Sequence, residues 1–144
     1  RPVVSLPDRR FVRLYDGIDA ELYSGDIRRL FASASAAVVK SGTATLEAAL
    51  LGVPIVVFYR LSWVSWMMGR LLVNAPRIAM PNILLEDDVA PELIQGAASP
   101  EAVLAALDRI DRPAMKERFA GLREILGGRG SAAPTADLCL ELLA

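Results

Sequence analysis

The chain has 144 residues, 53% of them hydrophobic and 23% charged, which suffices for the core of one domain or of a large part of one. Its 16 basic residues nearly balance 17 acidic ones, so it lacks the basic excess that is typical of nucleic-acid binding. Histidine is absent and Cys139 is the single cysteine, which excludes histidine-dependent nucleophiles, histidine-ligated zinc and an internal disulfide from this chain.

The first 60 residues alternate between strand patterns and helix patterns. Predicted strands lie at residues 11–15, 37–40 and 55–59, and predicted helices at 27–33 and 43–51. Asp26 is a candidate N-cap of the first helix, and Gly52 and Pro54 terminate the second. The third strand is a continuous apolar run, which is typical of a parallel sheet covered on both faces.

The rest of the chain is mostly helical in pattern. Predicted helices lie at residues 63–73, 90–95, 100–110, 113–126 and 135–143. Residues 77–80 predict a fourth strand that ends at Pro81-Asn82, and Ser99 precedes the 100–110 helix as its cap. Cys139 falls in the apolar last helix, where we expect a buried side chain.

Strands that alternate with helices indicate parallel β-α-β units joined by right-handed crossovers. The predicted fold class is therefore α/β, a Rossmann-like doubly wound parallel sheet with C-terminal helices. Only four strands are predicted and such a domain usually has more, so we expect residues 1–144 to lack the first strands of their domain. No apolar run reaches the roughly 18 residues of a membrane-spanning helix, which predicts a soluble or peripheral protein.

The segment from Lys40 to Pro54 carries the clearest chemistry. A predicted strand ends at Ser41-Gly42 directly before a helix, so unpaired N–H groups and the positive end of the helix dipole point towards the carboxyl edge of the sheet. Ligands bind at this edge in open α/β sheets, and a diphosphate is the natural occupant. Gly42 lets the backbone approach it, and Ser41 and Thr43 offer hydroxyl groups. The same residue types are also ordinary helix caps and turn formers.

Glu47 favours a binding site over a simple cap. A capping box requires Ser or Thr three residues before the carboxylate, and Ala44 occupies that position. One turn into the helix, the carboxylate could accept hydrogen bonds from both hydroxyls of a ribose. An exposed helix-surface glutamate is the alternative.

This part of the chain resembles the lipid-A-disaccharide synthases. The run Ser-Gly-Thr-Ala-Thr-Leu-Glu-Ala-Ala-Leu-Leu-Gly-Val-Pro at 41–54, followed by Ile-Val-Val-Phe-Tyr-Arg, is similar to the signature of that family. Met-Pro-Asn-Ile-Leu at 80–84 and Pro-Glu-Leu-Ile-Gln at 91–95 resemble a second pair of family motifs at matching spacing. Residues 118–144 follow the closing helices of the family, so the resemblance spans nearly the whole chain.

The resemblance implies that residues 1–144 are the C-terminal, UDP-sugar-binding domain of a GT-B glycosyltransferase, without its N-terminal acceptor and catalytic domain. Family members are hexosyltransferases that transfer acylated glucosamine from UDP-2,3-diacylglucosamine to lipid X, which gives the lipid A disaccharide and UDP. No cofactor and no metal ion is implied. The general base would lie in the absent domain, so the isolated chain would be inactive.

The resemblance also implies roles for single residues. Ser41, Gly42 and Thr43 would hold the diphosphate, Glu47 the ribose, and Asn82 would face the donor or the reacting centre as the one candidate catalytic residue. Asn82 could instead be a turn residue, and Glu92 could simply stabilise a helix dipole. The full set of predicted donor-binding residues is Ser41, Gly42, Thr43, Thr45, Glu47, Asn82, Glu92 and Gln95.

Two segments leave alternatives open. Leu-Glu-Asp-Asp at 85–88 stands where the family commonly has Ala-Gly-Arg-Glu, so we expect a solvated acidic loop there and no phosphate contact. The 63–73 helix, with Trp63 and Trp66, would be either a surface for membrane or acyl chains or, in our preferred interpretation, a core helix that packs on the sheet or on a partner subunit.

The implied partners are the UDP-activated donor, the lipid monosaccharide acceptor and the inner-membrane surface, with no nucleic acid. We expect a cytoplasmic protein, peripheral on the inner membrane of a Gram-negative-type bacterium, that can form a homodimer. The alternatives are another UDP-GlcNAc enzyme of GT-B architecture, such as a peptidoglycan glycosyltransferase or an epimerase, and a non-catalytic scaffold that retains the fold.

Overall fold

The computed structural model describes residues 1–63, 66–67, 76–127 and 132–143. Within these ranges the strands are β1 (Val3–Ser5), β2 (Glu21–Tyr23), β3 (Ala37–Lys40), β4 (Ile55–Tyr59) and β5 (Glu92–Ile94). The α-helices are α1 (Ile27–Ser33), α2 (Thr43–Leu50), α3 (Met80–Leu85), α4 (Pro100–Arg109), α5 (Arg112–Ala120), α6 (Leu122–Ile125) and α7 (Ala132–Leu143). Two 3-10 helices span Arg9–Tyr15 and Gln95–Ala97.

All strand pairs in the described part of the chain are parallel, which confirms the α/β fold class. β1 pairs with β2, and β3, β4 and β5 form a separate three-stranded sheet in that order. In the larger sheet Lys40 lies opposite Phe58, and Val57 lies opposite Glu92. Helix α2 connects β3 to β4 and α3 precedes β5, so the carboxyl ends of the three strands share one edge.

The core lies against one face of the three-stranded sheet. Val39, Ile55 and Val57 point to this face and pack in one cluster with helix residues that include Phe119 and Leu122. Burial of each such side chain stabilises the fold by about 1.5–3 kcal/mol. Ile55, Val56 and Val57 are each 0% exposed, which confirms the prediction that this strand is covered on both faces.

Four predicted helices are confirmed, and two of their caps behave as expected. Asp26 accepts a hydrogen bond from the Arg28 backbone N–H at the start of α1, and Ser99 accepts one from Ala102 at the start of α4. Helices α2 and α7 occupy the predicted segments with ends shifted by one to three residues. The predicted 63–73 helix lies mostly outside the described residues.

Three element predictions are wrong. Residues 11–15 belong to a 3-10 helix that Asp8 caps, and none of its side chains is buried, so the alternating pattern has no core to pack against. Residues 77–80 form no strand, because Pro81 favours the first turn of a helix and α3 begins at Met80. Residues 92–94 form a strand because β5 pairs with β4, and this pairing overrides the local helical spacing.

Two smaller expectations are also corrected. The predicted 113–126 helix is two helices, α5 and α6, because the chain turns at Gly121. Cys139 is exposed rather than buried.

Candidate functional site

The turn between β3 and α2, Ser41 and Gly42, lies at the carboxyl edge of the three-stranded sheet. The Ser41 backbone N–H donates to the Phe58 carbonyl at 3.0 Å, which holds the turn beside the end of β4. Gly42 is the N-cap of α2 with φ 155° and ψ −169°. No atom lies within 4 Å of the position where a Gly42 side chain would begin, so the backbone here is open to a ligand. The structure thus places this turn where α/β sheets bind ligands.

The N-terminus of α2 has no side-chain cap, in contrast to three other helices of the chain. Asp26, Ser99 and Asp111 each accept a hydrogen bond from a backbone N–H in the first turn of α1, α4 and α5. At α2 the N-cap is Gly42, and no side chain accepts from the first turn. The first amides of a helix have no intrahelical acceptor, and the helix dipole adds positive potential. A bound anion could accept hydrogen bonds from these amides and interact favourably with the positive end of the helix dipole.

Two hydroxyl groups of the predicted site are used within the protein. Ser41 Oγ donates to the Ile78 carbonyl at 2.8 Å, and because its backbone N–H is also bonded, Ser41 has no free donor. Thr45 is 0% exposed, and its Oγ1 donates to the Gly42 carbonyl at 2.6 Å. Both side chains therefore shape the turn.

Thr43 and Glu47 share the exposed face of α2. They are four residues apart, so they lie one turn from each other, and Ala48 and Ala49 occupy the buried face. Among the described residues, no group hydrogen-bonds or ion-pairs with the Glu47 carboxylate. This pair is available to a ligand that sits on the N-terminal turn of α2.

Lys40 is a cationic residue at the same edge that the sequence interpretation missed. It is the last residue of β3, and its Nζ lies 5.9 Å from the centre of the Tyr59 ring. This is within the range of a cation–π interaction. No carboxylate in the described part of the chain pairs with Lys40. A lysine directly before the Ser-Gly turn was the signal that could have identified it.

Asn82 and Glu92 form a hydrogen-bonded cluster below this edge. Asn82 is 1% exposed, and its side chain donates to the Ala90 carbonyl at 2.8 Å and accepts from the Ala90 N–H at 2.8 Å. Its Nδ2 also donates to Glu92 Oε1 at 2.9 Å. The Glu92 carboxylate further accepts from the Ile78 and Ala79 backbone N–H groups, each at 2.9 Å. It therefore caps the N-terminus of α3, where no N-cap side chain does so.

Gln95 is separate from this cluster. Its Oε1 accepts from the Leu61 N–H at 2.8 Å and its Nε2 donates to the Leu61 carbonyl at 3.3 Å. These bonds join the end of β5 to the chain after β4. Glu92 and Gln95 do not share a helix face, because Glu92 lies in β5. Direct donor contacts by Thr45, Asn82, Glu92 and Gln95 stay predictions, and each of these side chains has a partner within the protein.

The acidic loop after α3 is solvent-exposed at Glu86, Asp87 and Asp88, which confirms the prediction of a solvated segment, and two of its carboxylates also form surface ion pairs. Glu86 ends α3 in the left-handed conformation with φ 53°. Asp87 pairs with Arg118 of α5, and Asp88 pairs with Arg77 at 2.7 Å. The acidic run therefore joins α3 to its neighbours.

The described ranges hold no cluster of three or more His, Cys, Asp or Glu side chains in positions to ligate a metal ion. Within the same ranges, no helix has the length and apolar character needed to cross a bilayer.

Comparison with known proteins gives a consistent result. Residues 12–116 match the family model described as lipid-A-disaccharide synthetase, a range that includes the β3–α2 turn and the Asn82–Glu92 cluster. The lipid-A-disaccharide synthase of Syntrophus aciditrophicus is 48% identical over 117 residues, covering 78% of this chain and 30% of the relative. That of Anaeromyxobacter dehalogenans is 36% identical over 148 aligned positions, covering 99% and 39%. That of Nitrosococcus oceani is 44% identical over 119 positions, covering 79% and 30%. The chain thus spans well under half the length of these relatives.

Proposed function

Because the chain belongs to the lipid-A-disaccharide synthase family, we propose that it forms the UDP-sugar-binding part of a glycosyltransferase of lipid A biosynthesis. The donor would be UDP-2,3-diacylglucosamine and the acceptor lipid X. The observation that carries the proposal is the uncapped N-terminus of α2 at the carboxyl edge of the sheet, within the matched range. The turn is open at Gly42, so a diphosphate can approach its amides.

The diphosphate would be held mainly by backbone groups. The amides of Gly42, Thr43 and Ala44 start α2 without intrahelical acceptors, and the Thr43 hydroxyl adds a donor on the exposed side. Lys40 supplies a positive charge directly before the turn. Helix dipole and ammonium group together would offset the charge that develops on the leaving UDP.

The ribose would be held by Glu47. Its carboxylate is exposed, lies one turn into α2 and has no partner among the described residues, so it can accept hydrogen bonds from two ribose hydroxyls. This distance from the helix start suits a nucleotide whose diphosphate occupies the turn. The contact would distinguish a nucleoside diphosphate from free pyrophosphate.

The proposed reaction is an inverting displacement at the anomeric carbon of the donor sugar. A hydroxyl oxygen of the lipid X acceptor forms the new glycosidic bond, and the bond from the anomeric carbon to the β-phosphate oxygen breaks. UDP leaves with the bonding electrons, and the hydroxyl proton passes to a general base outside residues 1–144. The residues of this chain bind the donor and stabilise its leaving group.

The remaining partners belong to the same proposal. An enzyme with a lipid acceptor has to meet its substrate at a membrane surface. We propose that this protein binds peripherally to the cytoplasmic face of the inner membrane. Self-association through the open edges of the three-stranded sheet would account for a homodimer.

A chimera tests the activity directly. The matched segment of the Syntrophus aciditrophicus relative is replaced by the corresponding residues of this chain, and disaccharide formation from UDP-2,3-diacylglucosamine and lipid X is measured. We expect product from the chimera and a large loss in its Glu47→Ala form, with the same substitution in the relative as control. A folded chimera that binds UDP weakly or not at all and forms no product would indicate a scaffold. Sugar transfer from UDP-GlcNAc, without transfer from UDP-2,3-diacylglucosamine, would indicate another UDP-sugar enzyme.

A further inference from the structure

A continuous chain of hydrogen bonds links the Asn82–Glu92 cluster to the β3–α2 turn. Ile78 is the connecting residue: its carbonyl accepts from Ser41 Oγ at 2.8 Å, and its N–H donates to Glu92 Oε2 at 2.9 Å. Both polar backbone groups of one residue are therefore fixed from opposite sides. The Ser41 hydroxyl is therefore bonded to a fixed acceptor, the Ile78 carbonyl, in the segment before α3 that lies 37 residues later in the sequence.

The Glu92 end of this chain is firmly held. The carboxylate accepts three N–H groups, from Ile78, Ala79 and the Asn82 side chain. Asn82 is itself bonded in both directions to Ala90, which lies two residues before Glu92. Buried polar groups of this kind are costly to leave unpaired, so the cluster favours a single arrangement. No buried side-chain polar atom in the described ranges lacks a partner.

The Ser41 end lies next to a residue with an unusually free backbone. Gly42 lacks a side chain, makes no contact within 4 Å at its Cβ position and starts the helix that would bind the diphosphate. The direction of the first α2 amides therefore depends on how the turn is tied down. Two hydrogen bonds of Ser41 join this turn to other parts of the protein: its N–H bonds to Phe58 in β4, and its hydroxyl bonds to Ile78 in the segment before α3. The hydroxyl bond is the one that connects the turn to Glu92.

We propose that Asn82 and Glu92 are positioning residues that set the diphosphate turn through Ile78 and Ser41, without touching the donor themselves. The proposal rests on the proposed function, since it assigns these residues a role in the same site. It is an alternative to the direct donor contacts predicted for Asn82 and Glu92 from sequence. It also assigns Ser41 the role of an anchor, because both of its donors are already used.

The test is a double-mutant cycle on UDP affinity, with the Ser41→Ala and Glu92→Gln variants. Glu92→Gln keeps the shape of the side chain and replaces one accepting oxygen by a donor, which cannot pair with the Ile78 or Ala79 N–H. We expect each single variant to weaken UDP binding about tenfold and the double variant to weaken it by about the same factor. The losses should not add, because both substitutions interrupt the same chain of hydrogen bonds from Glu92 through Ile78 to Ser41. Asp87→Asn, which removes a carboxylate from the neighbouring exposed loop, is the control and should leave affinity unchanged.

Two outcomes of the cycle overturn the proposal. Losses that multiply to about a hundredfold mean that the two residues act independently. An unchanged affinity in folded single variants means that the tie does not set the turn. If Glu92→Gln does not fold, amide hydrogen exchange of the unmodified chain decides: UDP should slow exchange at Ile78 and Ala79, and no slowing contradicts the link.

A second measurement separates this proposal from the proposed function. The amide NMR signals of Gly42 and Thr43 are recorded without ligand, and we expect Ser41→Ala and Glu92→Gln to shift them in the same direction. If the unmodified chain fails to bind UDP but these shared shifts occur, the donor assignment fails and the positioning link stands. If UDP binds and the two variants give unrelated shifts, the positioning link fails alone.

Discussion

Lys40 Nζ lies 5.9 Å from the ring centre of Tyr59, and these residues end two neighbouring parallel strands. The contact with the Tyr59 ring holds the Lys40 ammonium group near the edge of the sheet, beside the turn that precedes α2. A cation in this position has no structural carboxylate to balance among the described residues. Its charge is therefore available to an anionic ligand.

Lys40→Met should weaken UDP binding by about three- to tenfold, because it removes a positive charge beside the diphosphate while keeping the apolar stem on the ring. The loss should shrink as salt is raised, since screening weakens the contribution of an exposed charge. Isothermal titration calorimetry at two salt concentrations measures both effects. Lys116→Met, at an exposed site on α5, is the control. An equal loss for both variants would mean that only net charge matters.

Asn82→Ala should lower the free energy of unfolding by about 2–4 kcal/mol, because it leaves the Ala90 N–H and carbonyl and the Glu92 carboxylate without their buried partner. Urea denaturation followed by circular dichroism measures the change. Gln95→Ala removes hydrogen bonds to Leu61 at the surface and should cost about 1 kcal/mol or less. Equal losses would show that the Asn82 cluster is no more important to the fold than this surface contact.

Gly42→Ala should destabilise the chain by about 1 kcal/mol or more through backbone strain, since its φ of 155° is a conformation that side-chain-bearing residues rarely adopt. Gly96→Ala is a matched control, because neither site has an atom within 4 Å of a new Cβ and Gly96 has no positive φ in the unfavourable range. The two variants therefore differ in strain and not in steric contact. Thermal unfolding distinguishes them, and equal midpoints would contradict the strain argument.

Acid should weaken the start of α1. Hydrogen bonds from the Arg28 backbone N–H, and then from its side chain, hold the pKa of Asp26 below its usual value of 3.8. The folded state thus binds this proton less readily than the unfolded state, so the stabilisation is present above pH 3.8 and is lost as the pH falls through the lower folded value. Asp26→Asn keeps a capping oxygen and does not titrate. Its stability should therefore depend less steeply on pH below 4 than that of the unmodified chain, and identical slopes would contradict the assignment.

The parts of the fold that were predictable are those in which local and tertiary preferences agree. The apolar run of β4 and the cap at Asp26 gave correct elements, because the local pattern and the packing agree in both: β4 is buried in the sheet, and the capped helix α1 packs Phe31 into the core. Residues 92–94 were misassigned because they form a strand only by pairing with β4. In this pairing Glu92 lies opposite Val57, which is 35 residues earlier in the sequence. The segment at 11–15 was misassigned because its alternation lacks a buried face.

The candidate site was predictable as a location but not as a set of partners. The Ser-Gly-Thr turn before a helix identified the carboxyl edge of the sheet, since chain order alone places that turn at the end of a strand. The hydrogen bonds of Ser41 to Ile78 and of Glu92 to Ala79 were not predictable, because they depend on how the segment before α3 folds back. A polar side chain that looks available to a ligand from the sequence can already be hydrogen-bonded to a backbone group far away in the chain, as Ser41 and Glu92 are.

UDP binding to this chain, measured by calorimetry with Glu47→Ala and Glu124→Ala variants, shows whether the N-terminus of α2 is the donor site. Both glutamates are exposed helix residues, but only Glu47 lies one turn from the N-terminus of α2. We predict that the unmodified chain binds UDP, that Glu47→Ala weakens binding by about 1.5–3 kcal/mol through loss of charge-assisted hydrogen bonds to the ribose, and that Glu124→Ala has no effect. A folded chain that does not bind UDP, or a Glu47→Ala variant that binds as tightly as the unmodified chain, would rule out this donor site.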